Sequence, residues 1–147
     1  MPATTGTPST TVRLTRILNA APERVFAAWT TAEAMKQWAS PGDMTVPSAS
    51  CDLRVGGRYE ILMRAPDGAE HRVAGVYREI DSPNRLVYTW QWQDRPGAPE
   101  TVVDVRFKRH GAGTELVLVH ELPDEASRDR HEHGWNGCLD KLVPMFR

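Results

Sequence analysis

Four side chains of this sequence could carry acid–base chemistry or orient a polar ligand: His120, His131, Tyr59 and Tyr88. His120 alternates in phase with the leucines that precede it in a predicted strand, so its imidazole is expected to be buried and to need a hydrogen-bond partner. Such a group is either a satisfied core histidine or a donor and acceptor for a bound ligand. His131 leaves the same two alternatives open, as a histidine bonded to a main-chain carbonyl or as a pocket residue.

Apolar and aromatic side chains accompany these positions at alternate places along the predicted strands. Trp90 and Trp92 are two residues apart, so both rings lie on one face of a strand. Trp135 follows His131 by one helical turn and lies on the same helix face. These side chains either fill a solid core or wall a ligand cavity. The candidate ligand-binding residues are Tyr59, Ile61, Met63, Tyr88, Trp90, Trp92, Val103, Val105, Leu118, His120, His131 and Trp135.

The spacings typical of metal, nucleotide and hydrolase sites are missing from the sequence. His131 and His133 are i and i+2 on a predicted helix and point about 200° apart, so they cannot share an ion. Cys51 and Cys138 form no C-x-x-C pair and are typical of reduced packing thiols. No phosphate-loop glycine pattern and no G-x-S-x-G motif is present. We therefore predict no metal and no cofactor.

The composition is that of one ordinary globular domain. The chain has 147 residues, 40% hydrophobic and 25% charged, with a formal net charge of -1. This near-neutral balance lacks the basic character of nucleic-acid-binding proteins, so no nucleic-acid partner is expected. No apolar run is long enough to predict a membrane span, and reduced cysteines favour a cytoplasmic location. We expect residues 1–11 to be a disordered tail and residues 12–147 to form a single domain.

The predicted elements are one strand, two short helices, about six strands and one long helix. Apolar and polar residues alternate over 12–20, and helical spacing then predicts two short helices before Pro41. From 44 to 121 the period is two, and the short connections favour an antiparallel meander. The last helix is amphipathic, with Asp124 as its N-cap. Gly134 and Gly137 in its middle predict the close approach of a neighbouring backbone.

Seven stretches of the sequence, taken in order, resemble a known family. They are the run from Arg16 to Trp29, Trp38-Ala39-Ser40-Pro41, Val55-Gly56-Gly57-Arg58-Tyr59, Asp67-Gly68, the run from Gly75 to Ile80, the run from Arg85 to Trp90, and His131-Glu132-His133-Gly134-Trp135. Together they resemble the START-like helix-grip (SRPBCC) superfamily, in the branch related to the C-terminal domain of the activator of Hsp90 ATPase. The resemblance covers about residues 12–146.

The resemblance implies an α+β helix-grip fold. In that fold a curved antiparallel sheet of about six or seven strands wraps around a long C-terminal helix, and two short helices follow the first strand. A hydrophobic cavity lies between the sheet and the helix. Members of the superfamily bind lipids, hormones and polyketides, and a few transform their ligands. The predicted function is therefore the binding of a hydrophobic, aromatic small molecule, without an assigned reaction.

Two other functions stay open at this point. One is a cofactor-free acid–base enzyme of the cyclase or dehydratase type, using His120 or His131 with Tyr59 or Tyr88. The other is a chaperone-regulating interaction module. In the chaperone activator a separate N-terminal domain contacts the chaperone, and only about 11 residues precede the first predicted strand here, so an Hsp90-type partner is not expected. A homodimer is expected as an assembly state.

Overall fold

The computed structural model describes residues 9–146, which form seven strands, three α-helices and a final 3-10 turn. In chain order these elements are β1 (Thr11–Leu18), α1 (Pro22–Thr30), α2 (Ala32–Trp38), β2 (Thr45–Cys51), β3 (Arg58–Arg64), β4 (Glu70–Asp81), β5 (Arg85–Trp92), β6 (Thr101–His110), β7 (Gly113–Glu121), α3 (Glu125–Leu142) and the 3-10 turn (Val143–Phe146). Residues 1–8 of the predicted tail lie outside the described residues. Between residues 9 and 146, no helix is both long and apolar enough to cross a membrane.

The strands form one curled antiparallel sheet in the order β1-β7-β6-β5-β4-β3-β2. β1 pairs with β7 and not with β2, so α1 and α2 carry the chain from one edge of the sheet to the other. From β2 to β7 each strand pairs with the next, as short connections require. The predicted α+β helix-grip fold, with two short helices after the first strand and a long helix at the C-terminal end, is confirmed.

The sheet departs from regular pairing between the neighbouring antiparallel strands β4 and β5. A Cβ atom at Gly75 would lie 1.9 Å from the carbonyl oxygen of Thr89, so only glycine fits there. The pairing register also shifts between Tyr77 and Glu79. The hydroxyl of Tyr59 donates to the same Thr89 carbonyl at 2.6 Å. A glycine with close backbone contact beside a bulge bends a strand, so this region contributes to the curl of the sheet.

The long helix α3 is fixed at its start and in its middle. The Asp124 carboxylate accepts a hydrogen bond from the Ser127 amide at 2.7 Å, which confirms the predicted N-cap. A Cβ at Gly137 would lie 2.9 Å from the backbone nitrogen of Gly42, so the predicted close approach is confirmed at that glycine. The same prediction is wrong at Gly134, where an added Cβ would meet nothing within 4 Å.

The apolar face of α3 packs toward the sheet through Trp135, Cys138, Leu139 and Leu142, all of which are buried. At the far end of the helix, the Lys141 ammonium donates to the Met44 carbonyl at 2.9 Å and to the Ser40 hydroxyl at 3.1 Å. These bonds and the glycine contact hold α3 against the segment that joins α2 to β2. The N-terminal half of the helix is held instead on β1, where the Arg128 guanidinium donates to the Thr11 carbonyl at 3.2 Å.

Candidate functional site

All five tryptophans of the chain belong to one continuous aromatic cluster, here called the tryptophan chain. The ring of Trp29 lies 4.4 Å from that of Trp38 and 6.3 Å from that of Trp135. Trp90 lies 5.3 Å from Trp135 and 5.8 Å from Trp92. The tryptophan chain therefore runs from α1 and α2, past α3, to the end of β5.

A small inner cavity lies between the sheet and α3, along the middle of the tryptophan chain. Its volume is about 30 Å³, room for about one or two water molecules. Tyr59 and Tyr88 both line it. The Tyr88 hydroxyl accepts from the Trp29 indole at 3.1 Å, and the Tyr59 hydroxyl is bonded to the backbone of β5. Burial raises the pKa of both phenols, so both stay neutral and carry no charge into the cavity.

Two larger compartments adjoin each other at the outer end of the tryptophan chain, and together they are called the outer groove. Their volumes are about 240 and 220 Å³. Both compartments are lined by the same five side chains, Trp90, Trp92, Arg95, Arg130 and His131. One compartment continues toward the segment before β2, and the other toward the loop between β5 and β6. The outer groove thus lies beside the half of α3 that is not tied to the α2–β2 segment.

His120 is held in a closed set of hydrogen bonds within the core. The Trp135 indole N–H donates to its Nδ1 at 3.1 Å, so the ring proton of the neutral imidazole resides on Nε2. Nε2 lies 2.7 Å from the Thr101 hydroxyl, which donates onward to the Trp90 carbonyl at 3.0 Å. Burial, with a smaller effect of neighbouring His131, lowers the pKa of His120 to about 3. At neutral pH this imidazole is uncharged and already fully bonded.

His131 lies one layer further out, with its ring 5.2 Å from that of His120. Its Nδ1–H donates to the Ser127 carbonyl at 2.8 Å, which leaves Nε2 as an acceptor in the neutral ring. Burial lowers its pKa; the Ser127 bond opposes this, and the nearby guanidinium groups of Arg130 and Arg95 add to the lowering. The outer groove therefore holds a neutral imidazole among fixed positive charges at neutral pH.

The two thiols have no activating surroundings. Cys138 lines both the inner cavity and the outer groove, and burial raises its pKa to about 12. Cys51 donates to the Thr30 carbonyl at 3.0 Å, and burial also raises its pKa. Both thiols are therefore protonated at neutral pH. Over residues 9–146, no group of three or more His, Cys, Asp or Glu side chains is placed to hold a metal ion.

The predicted site residues fall into four groups in the structure. Tyr59, Ile61 and Tyr88 line the inner cavity; Met63, Trp92 and His131 line the outer groove; Trp90 and Trp135 line both. Val103, Val105, Leu118 and His120 are completely buried and line none of these spaces. Eight of the twelve predicted residues therefore line the inner cavity or the outer groove, and the other four lie in the solid core.

Residues 19–147 match the family described as activator of Hsp90 ATPase homolog 1-like protein. The chain belongs to this family. The resemblance found in the sequence is confirmed, because the matched region includes every predicted element after the first strand. No curated protein matches this sequence.

Solved structures of similar proteins agree with this assignment to the activator of Hsp90 ATPase homolog 1-like family. The AHSA1 protein from Silicibacter pomeroyi is 30% identical, with a TM-score of 0.81 over 92% of this chain and 96% of that one. A protein from Chromobacterium violaceum is 29% identical, with a TM-score of 0.83 over 93% and 96% of the two chains. A protein from Nitrosomonas europaea, 23% identical with a TM-score of 0.79 over 92% of each chain, shares the fold.

For this member of the activator of Hsp90 ATPase homolog 1-like family, the sequence motifs did not reveal the charged residues of the outer groove. Arg95 lies in the loop after β5, where Pro96 and Gly97 predicted only a turn. Arg130 is one of several charged residues at the start of α3, and no sequence motif distinguishes it from the others. One signal was available, since Arg130 and Gly134 are one helical turn apart, beside the His131 and Trp135 pair. A glycine in that place leaves space next to the arginine.

Proposed function

We propose that this protein binds a small, mainly apolar, aromatic molecule in the outer groove. The observation that carries the proposal is that the indole N–H groups of Trp90 and Trp92 are buried and have no hydrogen-bond partner among residues 9–146. An unsatisfied buried donor costs about 1–3 kcal/mol. These nitrogens are closed to solvent, so a guest with an acceptor atom at the inner end of the groove reaches them when the indole side chains shift, and it then removes that cost for one or both indoles.

The other three indoles show that the fold satisfies such donors elsewhere. Trp29 donates to a tyrosine hydroxyl at 3.1 Å, Trp38 donates to the Ala28 carbonyl at 2.9 Å, and Trp135 donates to a histidine nitrogen at 3.1 Å. The two exceptions are the two tryptophans that line both compartments of the outer groove. Unsatisfied buried donors are rare in folded proteins, so these two indoles need a partner, which an ordered water or a guest in the groove would supply.

The walls and size of the outer groove support a small aromatic guest. Two indole rings offer flat faces for stacking, and Met44 and Met63 supply side chains that adapt to shape. Each compartment is smaller than the roughly 300 Å³ at the lower end of drug-sized pockets, so a guest that occupies one compartment is small. The inner cavity holds no such guest without movement of the core. The helix-grip fold of this family, known for binding ligands between sheet and helix, also supports the proposal.

The neutral fluorescent probe N-phenyl-1-naphthylamine tests the proposal directly, because its emission rises in apolar sites. We expect saturable binding to the full chain. Gly134→Leu should weaken it by about tenfold or more, since a side chain at Gly134 projects into open space at the groove wall.

His133→Leu is the matched control for that experiment. It places the same leucine side chain at the preceding residue of α3, where the native side chain is exposed and lies outside the groove, so probe binding should not change. Circular dichroism checks that both variants fold. Absence of saturable binding to the native protein would overturn the proposal, as would equal binding by the two variants.

A further inference from the structure

Two guanidinium groups from different elements meet at the outer groove. Arg95 comes from the loop after β5, and Arg130 comes from the second turn of α3; both line both compartments. The Arg95 guanidinium carbon lies 4.5 Å from the centre of the Trp92 ring. Stacking on an aromatic face leaves the N–H edges of a guanidinium free to bind an anion.

Neither of these arginines forms an ion pair within residues 9–146, and the nearest carboxylate effect is at Asp124, whose pKa is lowered first by hydrogen bonds from Ser127 and further by the Arg130 charge. Among the described residues, Arg130 donates only to the Ser127 hydroxyl, at 3.2 Å. On the same helix, Arg128 does pair with Glu132 and, at 3.3 Å, with Asp129. Arg130, the charged residue of α3 that lines the groove, therefore takes no part in these ion pairs.

The rest of the groove lining adds further donors and no carboxylate. No Asp or Glu of the described chain lines either compartment. The carboxylate nearest in sequence is Asp94, which lies outside the lining and 3.6 Å from His71, a lining residue of one compartment. The polar groups that point to a missing partner are the two arginines and the two unsatisfied indoles. A site with this inventory is complementary to a negatively charged acceptor group.

We infer that the guest is an organic anion, a flat apolar molecule whose carboxylate or similar acidic group binds between Arg95 and Arg130 while its body lies against Trp90 and Trp92. This inference rests on the proposed function, because it names the chemical class that the same groove accepts. Both arginines are exposed, so solvent screens them, and each contributes moderately to affinity. The apolar body supplies most of the affinity, and the charge selects acids over neutral molecules.

Two probes that differ by one charged group separate the inference from the proposal beneath it. 8-Anilinonaphthalene-1-sulfonate has the ring system of N-phenyl-1-naphthylamine with an added sulfonate. At low ionic strength we expect the sulfonate to bind the full chain about tenfold more tightly than the neutral probe, and added salt should reduce only the binding of the sulfonate. 2-Naphthoate should displace the sulfonate probe, and uncharged 2-naphthamide should do so much less.

Arginine variants locate the charge effect. Arg95→Gln and Arg130→Gln should each weaken sulfonate binding by about three- to tenfold and weaken binding of the neutral probe much less, because the neutral probe has no group that binds a guanidinium. Arg24→Gln is the matched control, since the Arg24 guanidinium also stacks on an aromatic ring, 5.5 Å from the centre of Phe146, but lies outside the groove. It should change neither affinity.

The possible outcomes distinguish the two ideas. Equal affinity for the charged and neutral probes would overturn the anion inference and leave the groove proposal standing. An equal loss in Arg24→Gln and Arg95→Gln would also overturn it, because the effect would then belong to overall surface charge. Failure of 2-naphthoate to displace the sulfonate probe would also overturn the anion inference, because 2-naphthoate is a flat aromatic carboxylate of the stated class. If neither probe binds, both the inference and the proposed function fail.

Discussion

The two glycines in the middle of α3 should respond in opposite ways to the same substitution. Gly134→Ala and Gly137→Ala each add one methyl group to the same helix, three residues apart. Glycine in a helix interior costs about 0.8–1.0 kcal/mol relative to alanine, so each change starts with the same gain in helix stability. The surroundings of the added Cβ decide whether that gain is kept.

At Gly134 an added Cβ meets nothing within 4 Å, so the full gain of about 1 kcal/mol is expected. At Gly137 it would lie 2.9 Å from the backbone nitrogen of Gly42, 3.0 Å from Cα and 3.1 Å from Cβ of Pro41. Overpacking of this kind costs about 1–3 kcal/mol, because backbone cannot move aside as easily as a side chain. Gly137→Ala should therefore lose about 1 kcal/mol net, and the two variants should differ by about 2 kcal/mol.

Urea denaturation followed by circular dichroism measures this difference, with the native protein as reference. In thermal unfolding, 1 kcal/mol corresponds to roughly 3 °C for a domain of this size, so the variants should differ by about 6 °C in Tm. Equal stabilisation by both substitutions would refute the close contact between α3 and the α2–β2 segment. Destabilisation by Gly134→Ala would refute the open space beside the groove.

His120→Gln should reduce the loss of unfolding free energy that occurs as the pH falls. His120 has a pKa of about 3 in the folded protein and about 6.5 in the unfolded chain, so between these pH values it takes up a proton only in the unfolded state. The native protein should lose about 2 kcal/mol from this residue between about pH 7.5 and pH 5, measured by urea titration, and an unchanged slope in the variant would contradict the buried neutral imidazole. Asp124→Ala should lower the Tm by a few degrees through loss of the helix cap, whereas Asp124→Asn, which keeps an acceptor, should not; equal losses would exclude the cap as the cause. Cys138 is buried and should react with a thiol reagent only after denaturation, whereas the half-buried Cys51 should react slowly in the folded protein; rapid reaction of Cys138 in the folded protein would contradict its burial.

The fold was accessible from the sequence because its signals are local. Alternation places Tyr59, Ile61 and Met63 on one side of β3, and all three are buried in the structure. The short turns between strands permit only antiparallel neighbours, which fixes most of the sheet order. The pairing of β1 with β7 was less accessible, because it joins residues about a hundred positions apart and depends on the path of α1 and α2.

The extent of the site could not be predicted in this way. Alternation tells which side of the sheet a residue faces, but it does not tell whether another element covers it; Val105 and Leu118 face inward and are completely buried. The need of His120 for a partner was clear from its strand phase. The identity of that partner, Trp135, depends on how α3 packs across β7, and the local sequence pattern does not specify this tertiary contact. Arg95 depends in the same way on the conformation of a loop.

The tryptophan chain also determines the intrinsic fluorescence of the protein. Adjacent rings are 4.4 to 6.3 Å apart, close enough for an excited state to migrate from one indole to the next before it emits. A molecule bound against Trp92, at one end of the tryptophan chain, can therefore quench excitation that was absorbed by Trp38 at the other end. Its arrival should diminish ultraviolet emission from the whole set of indoles, more than contact with one or two rings would suggest, so the unlabelled protein carries its own optical indicator of occupancy.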